Sequence, residues 1–177
     1  MAIKSRLRLL AQVRRYGVIW SGDVPLEPPM KIMLPVDGSA ASLAAVQHAL
    51  QMVADGLQAH FVLANVQEPP SLYEVVVAHD VAVLDQVRTA AGADLLQATE
   101  ALMESGGHAF ESEVAGGDPG HVLVDLIENY HCEAVVLGAT GMGNSGAPLG
   151  SVALALLQHS PVPVTVVRSP LPAERDG

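Results

Sequence analysis

A glycine-rich segment between Gly138 and Ser151 carries the strongest chemical signal in this sequence. It contains five glycines in fourteen residues, follows an apolar run and precedes a helical pattern. The backbone N–H groups of such a loop can surround a phosphate, and a helix N-terminus adds about half a positive charge. Ser151 adds a hydroxyl at the helix start. These residues favour a phosphate site, although a glycine-rich surface turn without a ligand explains the local sequence equally well.

Three known glycine motifs do not fit this loop. The P-loop requires a lysine after its last glycine, and none follows Gly146. The dinucleotide fingerprint requires an acid about 20 residues downstream and a first βα unit, but no acid occurs between Glu133 and Glu174. The nucleophile elbow, Gly-x-Ser-x-Gly, fails because Gly146 directly follows Ser145. The loop is therefore none of these three sites.

A second segment with unusual chemistry is Pro35–Ser39, directly after the first apolar run. Its carboxylate, Asp37, could accept a hydrogen bond from a ribose hydroxyl. The same side chain could instead form an Asx turn that caps the following helix together with Ser39. Both interpretations stay open on the residues alone, and both can hold together.

Two other groups of polar residues could be taken for catalytic pairs or metal ligands: His79 with Asp80, and the run His131–Glu133. Adjacent residues do not face one point on a helix or strand, and no Cys-x-x-Cys or His-x3-His spacing accompanies them. We interpret both groups as surface residues, and Cys132 as a partly buried thiol without a catalytic role. The residues thus predict no catalytic set and no metal site.

The two chemical segments need a scaffold, and the chain supplies alternating strands and helices. The alternating pattern predicts five strands: Lys31–Val36, His60–Val66, His108–Val114, Ala134–Leu137 and Val162–Val167. Helical spacing predicts helices at Ser42–Ala54, at roughly 76–104, after Asp118 and Pro119, and at roughly 151–159. Asp118 suits an N-cap and Pro119 a first turn.

This order predicts an α/β fold, a three-layer sandwich in which helices cover both faces of a five-stranded parallel sheet. Half of the residues are apolar but only 3% are aromatic, so aliphatic side chains must fill the core, as is typical of buried parallel strands. Ligands of such folds bind beyond the carboxyl ends of the strands. Both chemical segments follow such ends.

Charge separates a basic first segment from an acidic body. Five of the nine basic residues precede Tyr16, and all but two of the 19 acids lie beyond Pro29. An acidic body repels nucleic-acid backbones, so we exclude nucleic-acid binding for it. Residues 1–29 are expected to be a disordered extension, an artefact of an upstream start codon, or a basic arm that touches a membrane or a partner.

The remaining composition bears on compartment and boundaries. One cysteine allows no disulfide within the chain, and no run of 18 apolar residues is present. We therefore expect a cytoplasmic protein without a membrane span. The domain is expected to cover residues 30–168, followed by a polar, proline-containing tail at 169–177.

Residues 30–168 resemble the universal stress protein family. The run from Lys31 to Ser39 resembles that family's first strand and turn, and His159–Val167 resembles the end of its last helix and its last strand. Between them, Gly138 begins a segment similar to the family's nucleotide signature, Gly-x2-Gly-x9-Gly-[Ser/Thr]. The resemblance implies a Rossmann-like fold of the adenine nucleotide α-hydrolase type, and a stress-response regulatory protein that binds ATP, with Mg²⁺ and little or no hydrolysis.

The resemblance also implies which residues contact the nucleotide. Residues near the ends of strands would surround the ribose and the adenine: Pro35, Val36, Asp37, Val66 and Leu137. Residues of the glycine-rich loop would lie against the nucleotide and hold its phosphates with backbone N–H groups and a hydroxyl: Gly138, Thr140, Gly141, Gly150, Ser151 and Val152.

One departure from the family signature leaves an alternative open. Eight residues rather than nine separate Gly141 from Gly150, and none of the eight is a cation. Thr140 also stands where many relatives carry His or Arg. The alternative is a nucleotide-free interaction module of the same fold. In either case the last strand, Val162–Val167, is expected at a sheet edge, where the resemblance implies pairing into a homodimer.

Overall fold

The computed structural model describes residues 28–69, 81–142 and 148–168. Within these ranges the chain forms five strands and four helices. In chain order they are β1 (Met30–Pro35), α1 (Ala40–Ala54), β2 (Ala59–Gln67), α2 (Val81–Gly106), β3 (Phe110–Gly116), α3 (Pro119–Asn129), β4 (Ala134–Gly138), α4 (Ser151–His159) and β5 (Val164–Val167). The predicted extension and tail, the pair His79 and Asp80, and the middle of the glycine-rich loop lie largely or wholly outside the described residues.

The five strands form one parallel sheet in the order β3-β2-β1-β4-β5. Successive residues of β1 point to opposite faces, as the period of a strand requires. Ile32 and Leu34 pack with α1 and α2, whereas Met33 packs with α3 and α4. The predicted α/β sandwich with helices on both faces is therefore confirmed.

Local capping chemistry sets where the helices begin. Ser39 is the N-cap of α1, and its hydroxyl accepts a hydrogen bond from the Ser42 N–H at 3.1 Å. Asp118 is the N-cap of α3, with Pro119 in the first turn, as predicted. A side-chain cap at either position is worth about 1 kcal/mol.

Two predicted strand starts are wrong by two residues, each for a local reason. The third strand begins at Phe110 rather than His108, because the His108 N–H donates to the Met103 carbonyl at 3.0 Å and so helps to end α2. Gly107, with φ of 66°, adopts the left-handed conformation that this helix end requires. The last strand begins at Val164 rather than Val162, whose N–H donates to the Ser160 hydroxyl in a turn.

Helix α2 approaches the sheet closely at a glycine. A Cβ atom placed at Gly92 would lie 2.6 Å from Cγ1 of Val114 and 2.8 Å from Oδ1 of Asn65. Neither neighbour moves easily, because Val114 is β-branched and Asn65 is held by hydrogen bonds at both ends of its amide. The helix can therefore sit on β2 and β3 at this distance only with glycine. No helix of the described residues is long and apolar enough to cross a membrane.

Gly92→Ala should destabilise the protein, although alanine is the better helix former. Alanine contributes about 1 kcal/mol in a helix interior, whereas an overpacked core costs roughly 1–3 kcal/mol. Urea unfolding monitored by circular dichroism measures the net change. Ala93→Gly, on the exposed side of the same helix, measures how much the difference in helix propensity between alanine and glycine contributes to the free energy of unfolding. An increased unfolding midpoint for Gly92→Ala would contradict the close approach.

Candidate functional site

A cavity of about 270 Å³ opens at the carboxyl ends of β1, β2 and β4. It lies beside the point where the strand order reverses, which is where ligands bind in open α/β sheets. The structure brings all eleven residues singled out in the sequence to this cavity. They are Pro35, Val36, Asp37, Val66, Leu137, Gly138, Thr140, Gly141, Gly150, Ser151 and Val152.

Sequence reasoning missed part of the lining. Helix α3 contributes Pro119 and Leu123, β2 contributes Asn65, and Glu68 follows that strand directly. The contribution of α3 depends on how the helix packs across the sheet, which no local pattern reveals. Asn65 did carry a signal, because it is an amide inside an otherwise apolar strand and a buried amide must find partners.

Asp37 ties two parts of the cavity wall together. Its Oδ1 accepts a hydrogen bond from the Ser39 N–H at 2.9 Å, which forms the Asx turn, and its Oδ2 accepts one from the Met142 N–H at 3.1 Å. Ser39 rather than Asp37 provides the side-chain cap of α1. An ionised carboxylate accepts about four hydrogen bonds, so Asp37 retains capacity for a ligand hydroxyl.

The Asp37 carboxyl remains ionised despite its partial burial. Burial opposes ionisation, but hydrogen bonds from Ser39 and from the Met142 N–H favour the charged form, so the pKa of Asp37 lies below its ordinary value. The carboxylate is therefore an acceptor, and not a proton donor, at neutral pH.

Two glycines, Gly138 at the end of β4 and Gly141 in the connection that follows it, are required by close contacts with the protein itself. A Cβ at Gly138 would lie 2.6 Å from the backbone carbon of Ala41 in α1, and one at Gly141 would lie 2.7 Å from Oδ2 of Asp37. Gly138 therefore allows β4 and α1 to contact each other, whether or not the cavity holds a ligand. A bulky residue at this position would disturb folding, so a loss of binding in such a variant would not identify a ligand contact.

The start of α4 presents backbone donors to the cavity. Its N-cap, Gly150, supplies no side-chain cap, and its own N–H donates to the Ala139 carbonyl at 2.7 Å. Gly150 is thus engaged within the protein in this structure. The N–H groups of Ser151 and Val152 belong to the first turn, where a helix offers no carbonyl partner. Both residues line the cavity.

The rest of the described lining contains apolar, uncharged polar and acidic side chains but no basic ones. Side chains of Val66, Leu123, Leu137 and Val152 form its apolar surface. Among the described lining residues the charged side chains are Asp37 and Glu68, and none is Lys, Arg or His. A phosphate bound here would rely on backbone N–H groups, the helix terminus and any cation that accompanies it.

Residues that could be mistaken for a catalytic set do not converge. His131 and Glu133 are exposed, whereas Cys132 between them is buried. Burial raises the pKa of the Cys132 thiol to about 11, which makes it a poor nucleophile at neutral pH. Within the described ranges no three His, Cys, Asp or Glu side chains gather as metal ligands would.

Comparison with known proteins agrees with this architecture. A model described as the universal stress protein family matches residues 29–168. A universal stress protein of Methanocaldococcus jannaschii is 27% identical over 141 residues, which cover 79% of this chain and 82% of the relative.

Solved structures show the same fold. The universal stress protein UspA from Lactobacillus plantarum superposes with a TM-score of 0.69 at 24% identity, over 78% of this chain and 97% of its own. A family protein from Arabidopsis thaliana, solved with AMP bound, has a TM-score of 0.61 at 18% identity, over 82% of this chain and 97% of its own.

Asp37→Asn should reduce stability most near neutral pH and progressively less in acid. Because the pKa of Asp37 is lowered on folding, its ionised form contributes stability that is full above the unfolded pKa, about 3.9, and is lost as the pH falls through the folded pKa. The difference in unfolding free energy between wild type and variant should therefore shrink from about pH 6 to about pH 3. Urea titrations across this range measure it, with Asp125→Asn on the exposed side of α3 as the charge control. A difference that stays constant would refute the role of the carboxylate.

Proposed function

This chain belongs to the universal stress protein family, and on that premise we propose that it binds ATP with Mg²⁺ in the cavity between β1 and β4. It acts as a nucleotide-dependent regulatory protein of the stress response, with little or no hydrolysis. The observation that carries the proposal is the convergence of three ligand-binding features on one cavity. An apolar surface, an ionised carboxylate and an uncapped helix start all face the same space.

Each feature suits one part of the nucleotide. Val66, Leu137 and Leu123 offer an apolar surface for the base. The Asp37 carboxylate can accept a hydrogen bond from a ribose hydroxyl. The first-turn N–H groups of α4 suit phosphate oxygens, as helix N-termini do generally. The AMP bound to the Arabidopsis neighbour supports an adenine nucleotide as the ligand class.

The cation belongs to the proposal because of the charges in the cavity. Since the described lining supplies carboxylates but no basic side chain, a triphosphate needs its own counter-ion. Mg²⁺ is commonly held by phosphate oxygens, waters and one or two carboxylates. We expect the affinity for ATP to depend on Mg²⁺ more strongly than the affinity for AMP.

The lack of turnover rests on the same residues. Phosphoryl transfer requires a group that orients or deprotonates the attacking nucleophile, together with positive charge at the phosphates. The described cavity lining offers no histidine, lysine or arginine for either task.

We also propose a cytoplasmic location. This part of the proposal rests on the single cysteine, which permits no disulfide within one chain.

We further propose that the protein is a homodimer paired through β5. This strand is the edge of the sheet beyond β4. The carbonyls of Pro163 and Val167 accept hydrogen bonds from β4, so the alternate residues Val164 and Val166 direct their backbone groups outward. Leu154 and Leu157 of α4 are each 49% exposed and would add apolar area beside the strand.

Ser151→Asp should weaken ATP binding at least about tenfold without destabilising the fold. A carboxylate in the first turn stabilises a helix by roughly 0.3–1 kcal/mol but repels a phosphate at the same place. Calorimetry with ATP, AMP and adenosine, each with and without Mg²⁺, should show the largest loss for ATP and the smallest for adenosine.

Gln97→Glu, on the exposed side of α2, introduces the same change in charge away from the cavity and should bind ATP as wild type does. If no adenine compound binds to the wild type at millimolar concentration, ATP binding is wrong and the nucleotide-free interaction module remains. If Ser151→Asp weakens the binding of ATP and of adenosine equally, the phosphates do not bind at the start of α4.

Val166→Pro should convert the dimer to a monomer of 18.4 kDa. Proline removes the outward N–H of Val166 but none of the hydrogen bonds to β4, and it is tolerated on edge strands. Light scattering after size-exclusion chromatography measures the mass. Thr165→Ala, an exposed change in the same strand, should remain dimeric. A wild-type mass equal to one chain would contradict the dimer.

A further inference from the structure

The backbone hydrogen bonds between β1 and β2 end one bond earlier than the parallel pattern would allow. The even-numbered N–H groups of β1 donate to β2 up to the Val36 N–H, which reaches the Ala64 carbonyl at 2.8 Å. The next bond of a parallel ladder would run from the Val66 N–H to the Val36 carbonyl. No such bond forms within the described residues.

The side chain of Asn65 takes that place. Its Nδ2 donates to the Val36 carbonyl at 2.7 Å, and its Oδ1 accepts from Nε2 of Gln67 at 2.6 Å. A carbonyl oxygen only accepts hydrogen bonds, so the NH₂ end of the amide must face Val36. Asn65 is only 2% exposed, which makes loss of either bond costly.

The position of the Asn65 amide is restrained on its other side by α2. The absent side chain of Gly92 leaves the space in which Oδ1 lies, since a Cβ there would approach it to 2.8 Å. Gln67 in turn holds Oδ1 from the end of β2. The amide therefore has one orientation, determined by β1, β2 and α2 together.

The bond between Asn65 and the Val36 carbonyl affects the backbone of Val66, which lines the cavity. In a parallel strand the N–H and C=O of one residue point to the same side, and for Val66 this is the side of β1. The Asn65 amide lies against the Val36 carbonyl and β1 ends at Pro35, and neither group of Val66 has a backbone hydrogen-bond partner within the described residues. A donor and an acceptor on one residue are left facing the opening between β1 and β2.

We infer that Asn65 is a positioning residue that keeps the Val66 backbone open and thereby determines which base the cavity accepts. This inference rests on the proposed nucleotide site. A neighbouring donor and acceptor complement the N1 acceptor and the 6-amino donor of a 6-aminopurine. They oppose a 6-oxopurine, in which N1–H is a donor and O6 an acceptor. Asn65 acts through Val66 and not by its own contact with the base.

Amide hydrogen exchange in the ligand-free protein tests the inference without any nucleotide. In the wild type the Val66 amide should exchange at least about a hundredfold faster than the Val62 and Ala64 amides of the same ladder, since unpaired groups exchange from the native state. In Asn65→Leu, which keeps the branching at Cγ but has no donor, the Val36 carbonyl loses its bond to the side chain. The Val66 amide should then become protected at least about tenfold.

Base selectivity provides the second measurement. Wild-type protein should bind ATP at least about tenfold more tightly than inosine triphosphate, because the reversed donor and acceptor leave groups unpaired. In Asn65→Leu this ratio should fall to within about threefold. The ratio of ATP to AMP affinity should not change, because the start of α4 is untouched. A general loosening of the structure would not lower the ratio of ATP to inosine triphosphate affinity while leaving the ratio of ATP to AMP affinity unchanged.

Gln67→Leu is the matched control, since it removes the other partner of the amide but leaves the bond to Val36. Its Val66 exchange and base selectivity should match the wild type. Asn65→Ala replaces Asn65→Leu if the latter does not fold. A wild-type Val66 amide as protected as Ala64, or unchanged exchange and selectivity in the folded variant, would overturn the inference. If exchange behaves as expected but no nucleotide binds, the proposed function fails while the opening of the ladder stands.

Discussion

The cavity depends on the chain leaving the two central strands toward opposite faces of the sheet. After β1 the chain crosses to α1, on the face of the sheet that also carries α2, and after β4 it crosses to α4, on the face that carries α3. Beside these strand ends lies the cavity, at the place where open α/β sheets bind their ligands. Gly138 allows this arrangement to be compact, because the end of β4 meets the first turn of α1 without an intervening side chain.

Side-chain hydrogen bonds hold the edge of this opening where the backbone ladder ends. Asp37 joins the turn after β1 to the connection after β4, and Asn65 joins the end of β2 to the same turn. Both polar side chains point at backbone groups that the sheet no longer pairs. Because the acidic body has few cations, the proposed nucleotide would be recognised mainly by backbone N–H and carbonyl groups of Val66, Ser151 and Val152.

Much of the fold could be predicted from local patterns, and the errors have local causes. The alternating pattern located all five strands, and capping residues such as Asp118 marked helix starts. The start of β3 was wrong because the His108 N–H bonds to the end of α2 instead of the sheet. The convergence of eleven suggested residues on one cavity was predictable, since parallel strands bring their carboxyl ends together.

The sequence by itself determined the alternation of strands and helices, the capping residues and the positions of the glycines, because these depend on residues within a few places of each other. Tertiary structure alone decided what those glycines contact, and that Asn65 of β2 bonds the carbonyl of Val36 on β1. These contacts join residues from different elements, whose distance and register are set by packing across the sheet. The glycine-rich loop is therefore visible in the sequence as a candidate phosphate site, whereas the open backbone of Val66 is visible only in the folded chain.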